Sequence, residues 1–198
     1  MKVSSQTFNP AKVAYYEKAG WEAYYAREWF LAFQMMIQLN REQFRMPLWT
    51  AILASIDIVQ ASIAFAPLEH NNVPAAKKHI QRYYEKARQS VGIEADAQTL
   101  ADLEIDYWIV HRQLARERRL AVENGNDAID NTAPMVESLN RLHAALFKAP
   151  PAAIRRSAEL RAQAAVAVDR ITGGYTADEV EDWHEVEEKL KKAYEALK

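Results

Sequence analysis

The sequence predicts an all-α fold, a bundle of about seven mostly antiparallel helices forming a single domain over residues 1–198. Three observations predict it. Helix breakers are scarce, with 5 Gly and 7 Pro, whereas Ala, Glu, Leu and Arg are plentiful. Apolar residues recur at helical spacing along most of the chain, and no stretch reads as a credible strand. The few Pro, Gly and Asn clusters cut the chain into helix-length pieces.

The first piece opens at Pro10. Asn9 suits the N-cap, Pro10 the first helical position, and Phe8 can staple onto Val13. One helix is expected from there to Arg45, with Gly20 its weak point. Unbroken, it would exceed about 50 Å. Its strongest apolar stripe contains Tyr15, Ala26, Trp29, Phe33, Met36, Ile37 and Phe44, with Glu22 and Asn40 inside the stripe. Pro47 and Pro67 punctuate the next helix, 47–66, PLWTAILASIDIVQASIAFA. It is apolar on nearly every face, which predicts the central helix of the bundle, surrounded on all sides. Its length approaches the roughly 20 residues of a membrane span. Asp57 and Gln60 near its midpoint are costly in lipid, and no second such run partners it, so no membrane is expected.

After the polar connection 68–74, a helix spans about Val73–Val91. Ile80, Tyr83, Tyr84 and Ala87 form its inner stripe, and Lys77, Lys78, Arg82, Lys86 and Arg88 its basic outer face. Gly92 is its natural stop. Asp96 caps the following helix, which reaches about Asn124. Its stripe of Leu100, Leu103, Tyr107, Trp108, Val110 and Leu114 encloses Glu104 and His111, while Arg116, Arg118 and Arg119 predict a far end projecting into water. Residues 123–134, ENGNDAIDNTAP, carry the longest loop signal and are expected to be flexible. Helices over about Pro134–Lys148 and from Pro150-Pro151 to Gly173-Gly174 come next. The second has a slim inner stripe (Ile154, Ala158, Ala164, Ala165, Val168, Ile171), with Arg161 in its middle and Asp169 near its edge. Thr176 and Glu179 read as a capping box for the last helix, which docks through Trp183, Val186, Leu190 and Leu197.

Composition excludes several functions. With 0 Cys there is no disulfide, thiolate metal site or Cys nucleophile. A net charge of −2, with acids interrupting both basic patches, argues against nucleic acid. No Gly-rich phosphate loop or Gly-x-Ser-x-Gly turn is present. The N-terminal MKVSSQTFNP has no apolar run of the signal-peptide kind, and a cytoplasmic location is the expectation.

What remains is a set of polar residues where the periodicity calls for apolar ones: Glu22, Asp57, Glu104, His111 and Arg161. Ionised side chains are rarely buried unless paired. If all five share one core, their excess negative charge must be offset by a shared proton, a protonated His111 or a bound cation. Two functions follow. The favoured one is a non-enzymatic module that binds a small molecule or a protein partner. The buried set, Arg161 with the acids and His111 on Glu104 or a Tyr, then fixes helix register. The same residues would anchor a ligand in a pocket lined by Trp21, Tyr25, Trp29, Tyr107 and Trp108.

The alternative is a metal-dependent oxidoreductase, with Glu22, Asp57, Glu104 and His111 holding iron, manganese or zinc and Arg161 beside them. The chain lacks the paired Glu-x-x-His motifs of carboxylate-bridged bundles. Its only such pair, Glu181–His184, falls on an acidic outer turn. Glu104 and His111 lie about 10 Å apart along their helix, too far for an easy chelate. Finally, the acidic start of the last helix against the basic 73–91 helix gives a charge argument for a homo-oligomer.

Overall fold

The computed structural model describes residues 8–128 and 131–198 and, among them, is all-helical: eight helices and no strand. They are α1 (Pro10–Tyr25), α2 (Trp29–Phe44), α3 (Leu48–Phe65), α4 (Val73–Val91), α5 (Ala97–Glu123), α6 (Ala133–Phe147), α7 (Pro151–Gly173) and α8 (Glu179–Glu195). The flexible stretch expected over 123–134 includes residues 129–130, which lie outside the described residues, as do residues 1–7 of the N-terminal MKVSSQTFNP read for a signal peptide.

The extra helix arises because the helix expected over 10–45 is two. α1 ends at Ala26, and Arg27 takes a left-handed conformation, φ 62°. The Glu28 amide then donates to Ala23 O at 2.8 Å, which caps α1 and turns the chain into α2. No Gly or Pro marks this corner. Arg45 and Lys148 close α2 and α6 in the same left-handed way, so three basic residues hold positions that glycine usually takes.

Elsewhere the punctuation acts as read. Asn9 Oδ1 accepts from the Ala11 and Lys12 amides, Asp96 Oδ1 accepts from the Thr99 amide, and Gly92 and Gly174 end α4 and α7 in left-handed conformations. The capping box is corrected in detail. Asp178, not Thr176, caps α8, accepting from the Val180 and Glu181 amides, while the Thr176 hydroxyl donates to Asp182 Oδ2 at 2.5 Å.

Each helix packs against the next, and α8 returns to pack along α1. The neighbours therefore form a closed circuit, with short connections making successive helices antiparallel. The larger apolar core draws residues from all eight helices, and a smaller one joins α5, α6 and α7. Slim residues allow neighbouring helices to approach closely: Ala51, Ala54 and Ala61 on α3, Ala164 and Ala167 on α7. The links α1–α2, α3–α4, α5–α6 and α7–α8 all lie at one end of the circuit.

α3 is not the enclosed centre that its composition suggests. It forms part of the wall, between α2 and α4, and only a third of its residues are buried. Composition registers how apolar a helix is but not whether a neighbour covers each face. The far end of α5 also departs from expectation. Instead of projecting into water, Arg118 is 2 % exposed and packs back onto α7.

Candidate functional site

The interior of the circuit is lined by polar and aromatic side chains from most of the helices. At mid-height, Arg161 of α7 reaches across to Glu17 of α1 and forks onto both carboxylate oxygens, Nη1 to Oε2 at 3.0 Å and Nη2 to Oε1 at 2.5 Å. Tyr194 of α8 completes the group, donating from its hydroxyl to Glu17 Oε2 at 2.6 Å and accepting from Arg161 Nη1 at 2.9 Å. Burial works against the Arg161 charge, but Glu17 with Tyr194 and Tyr107 together outweigh it and hold the guanidinium well above its ordinary pKa. This ion pair is electrically neutral, although Arg161 Nε is buried without a hydrogen-bond partner.

Glu104 on α5 is a different case. Tyr84 on α4 donates its hydroxyl to Oε2 at 2.7 Å, and Trp108, one turn along α5, donates its indole N–H to Oε1 at 2.8 Å. Both donors are neutral, and among the described residues no cationic side chain is bonded to this carboxylate. Burial raises its pKa; the two donated hydrogen bonds and the more distant Arg161 charge offset that only in part. Glu104, Tyr83 and Tyr107 are enclosed deeply enough for burial to dominate their ionisation, with both phenols pushed far up. Each nonetheless keeps a partly accessible surface.

Two turns toward the linked end, Tyr107 stacks on His111 with ring centroids 5.7 Å apart and 9° between planes. His111 Nε2 lies 3.0 Å from Oδ1 of the buried Asp169, whose Oδ2 accepts from Arg118 Nη1 at 2.7 Å. Arg118 also donates to Asn131 O. Tyr25 is half exposed at this end, and surrounding protein together with the Asp169 charge raises its phenol to about 12. Tyr24 packs edge-on against both Tyr25 and Trp29. Arg112 clamps the α3 end, donating to Phe65 O at 2.7 Å and lying 3.8 Å over the Phe65 ring. Charged and aromatic side chains thus gather at the linked end, and Glu104 lies two turns of α5 away from His111.

The five residues singled out in the sequence do not meet. Glu22 is only partly buried and pairs with Lys18 of its own helix at 2.6 Å. Asp57 ties α3 to α4 through Lys86 Nζ at 2.7 Å and Arg82 Nε at 3.0 Å, with His79 Nδ1 3.7 Å away. Glu104 takes Tyr84 and Trp108, His111 takes Asp169, and Arg161 takes Glu17. The shared core and four-ligand set expected from Glu22, Asp57, Glu104 and His111 is therefore corrected. Among the described residues, no three His, Asp or Glu side chains are grouped to hold a metal ion. The structure does bring Tyr107, Trp108, Glu104 and His111 together along the inward side of α5.

Sequence reasoning missed Glu17, Tyr194 and the role of Arg118. Glu17 was legible in principle, three and four residues beyond the buried pair Val13 and Ala14. His143 of α6 is also buried, and its Nδ1 has no protein hydrogen-bond partner. Burial, aided by the Arg161 charge, lowers its pKa to about 3, so it is neutral. The chain matches no family model, no curated protein and no solved structure.

Proposed function

We propose that this protein binds a small organic molecule inside the helical circuit, with Glu104 as its inner anchor. The observation that carries the reading is the state of Glu104. It is a deeply placed carboxylate with two neutral donors, no cationic side chain bonded to it among the described residues, and remaining accessible surface. An ammonium group would supply the charge that Tyr84 and Trp108 do not. Trp108 and Tyr107 offer aromatic faces beside it, which attract a cation through their ring quadrupoles. The ligand class is therefore an amine with an aromatic or aliphatic body, entering past Tyr25 and His111. Arg161 is not the anchor, because Glu17 already occupies its fork. Among the described residues no three His, Asp or Glu side chains are grouped to hold a metal ion, and the proposal is accordingly one of binding.

The test compares 2-phenylethylamine with its neutral isostere 2-phenylethanol by thermal shift and calorimetry. The amine is expected to raise the melting temperature and the alcohol to leave it unchanged. Glu104→Gln, which keeps the size and removes the charge, is expected to abolish the difference. Equal effects of amine and alcohol, or amine binding that survives Glu104→Gln, refute the assignment.

A further inference from the structure

Among the described residues, nothing covers the outward face of α3. Trp49 is 75 %, Leu53 54 %, Ile56 38 % and Ile63 67 % exposed. Ile52 and Val59 on the same face are partly buried, and Gln60 is the one polar member. Trp49, Ile56 and Ile63 recur every seven residues, and Ile52 and Val59 follow the first two by three. That is the spacing of a coiled-coil seam, which keeps one stripe facing a second helix.

We infer that α3 is a self-association surface, and that its occupant is α3 of a second copy of this chain, packed antiparallel. The stripe is self-complementary. Ile56 lies midway between Trp49 and Ile63, so a two-fold axis at Ile56 sets Ile56 on its own copy and each Trp49 on the other copy's Ile63. Such an isologous arrangement closes as a dimer and leaves no open end. No charged residue lies on the stripe to repel its copy. The area agrees as well. Leu48, Trp49, Leu53, Ile56 and Ile63 together expose roughly 500 Å² per copy, so pairing covers about 1,000 Å² from these side chains alone, the size at which an interface becomes specific.

Two observations favour a second helix over lipid. Lipid accepts an apolar face of any spacing, whereas the heptad is what helix packing requires. Moreover α3 is fastened into the wall, by Asn40 Nδ2 donating to the buried Ser55 Oγ at 3.1 Å and by Asp57 on Arg82 and Lys86. Crossing a bilayer would break both fastenings and strand Asp57 in hydrocarbon.

Sedimentation velocity and light scattering on the full chain, from low to several hundred micromolar, test the inference. The expected species is a dimer. Ile56→Glu sets two carboxylates against each other on the axis and is expected to weaken dimerisation at least about 30-fold, the size of a central hot spot, while the circular-dichroism melt stays that of a folded helical protein. Ile63→Lys, at a more exposed position, serves if Ile56→Glu disturbs folding. Mixing Ile56→Glu with Ile56→Lys is expected to restore dimers. A wild-type monomer throughout that range, dimers that persist in both folded variants, or monomers that float with phosphatidylcholine vesicles would each overturn the inference.

Discussion

Acidification is expected to destabilise the protein through His143. This side chain is 6 % exposed, packs edge-on against Phe147 at 5.8 Å, and is neutral in the folded state because burial and then Arg161 depress its pKa from 6.5 to about 3. In the unfolded chain it titrates at its ordinary value. Between those two values the unfolded state binds a proton that the folded state refuses, so its contribution to stability is fully present above 6.5 and is lost progressively as pH falls toward 3. Each pH unit inside that window costs about 1.4 kcal/mol, so two units below the ordinary value the loss from this one residue is about 3 kcal/mol. That is a large share of the roughly 5–15 kcal/mol that stabilises a domain. The assay is urea unfolding at neutral pH and again two units below the ordinary imidazole value, on wild type and His143→Gln. The substitution changes absolute stability, but the informative quantity is the drop between the two pH values. It should be smaller in the variant by about 3 kcal/mol, because carboxylates contribute alike to both proteins. Equal drops in the two proteins would refute the reasoning.

Two further outcomes follow from the same geometry. Arg161→Met leaves the Glu17 carboxylate buried with only the Tyr194 hydroxyl and is expected to cost about 3–5 kcal/mol in urea unfolding, much of which Glu17→Gln in the same chain should recover; additive losses would show that the pair is not coupled. Gly174→Ala meets no atom within 4 Å of the new Cβ, so its expected cost of about 1 kcal/mol comes from the backbone alone, at φ +74°, whereas Gly20→Ala, in helical backbone with Met35 Cβ 3.6 Å away, should stabilise by about as much; the thermal melts of the two variants must move in opposite directions.

The fold was readable because its helices are bounded by residues that act locally. Asn9, Asp96, Gly92 and Gly174 cap or stop a helix by their own side chain or lack of one, with no help from tertiary structure. Arg27 was not readable, since nothing about an arginine advertises a left-handed corner. That single omission misplaced part of the site. Fitting one stripe across 10–45 ignores the change of phase at the corner, so Glu22 and Tyr15 came out inside. In the structure α1 buries Val13, Ala14, Glu17 and Ala23, while Tyr15 is 49 % exposed. Within an unbroken helix the phase held: Glu104, Tyr107, Trp108 and His111 do line one side of α5. The identity of each charge's partner was beyond periodicity. Asp57 and Arg161 both sit at positions where a helix turns a side chain inward or to a seam, yet one pairs with a neighbouring helix and the other with a helix 144 residues earlier in the chain.

That long reach bears on how the molecule comes together. Seven of the eight neighbouring pairs join helices consecutive in the chain and need only hairpin-sized loops. The eighth is sealed by Tyr194 on Glu17, across 177 residues. Loop-closure entropy grows only logarithmically, so drawing these ends together costs about 1.5 kcal/mol more than closing one helical hairpin. The buried Glu17–Arg161–Tyr194 group is therefore a clasp: a modest entropic penalty, met by four charge-assisted hydrogen bonds, turns a string of hairpins into a closed ring of helices.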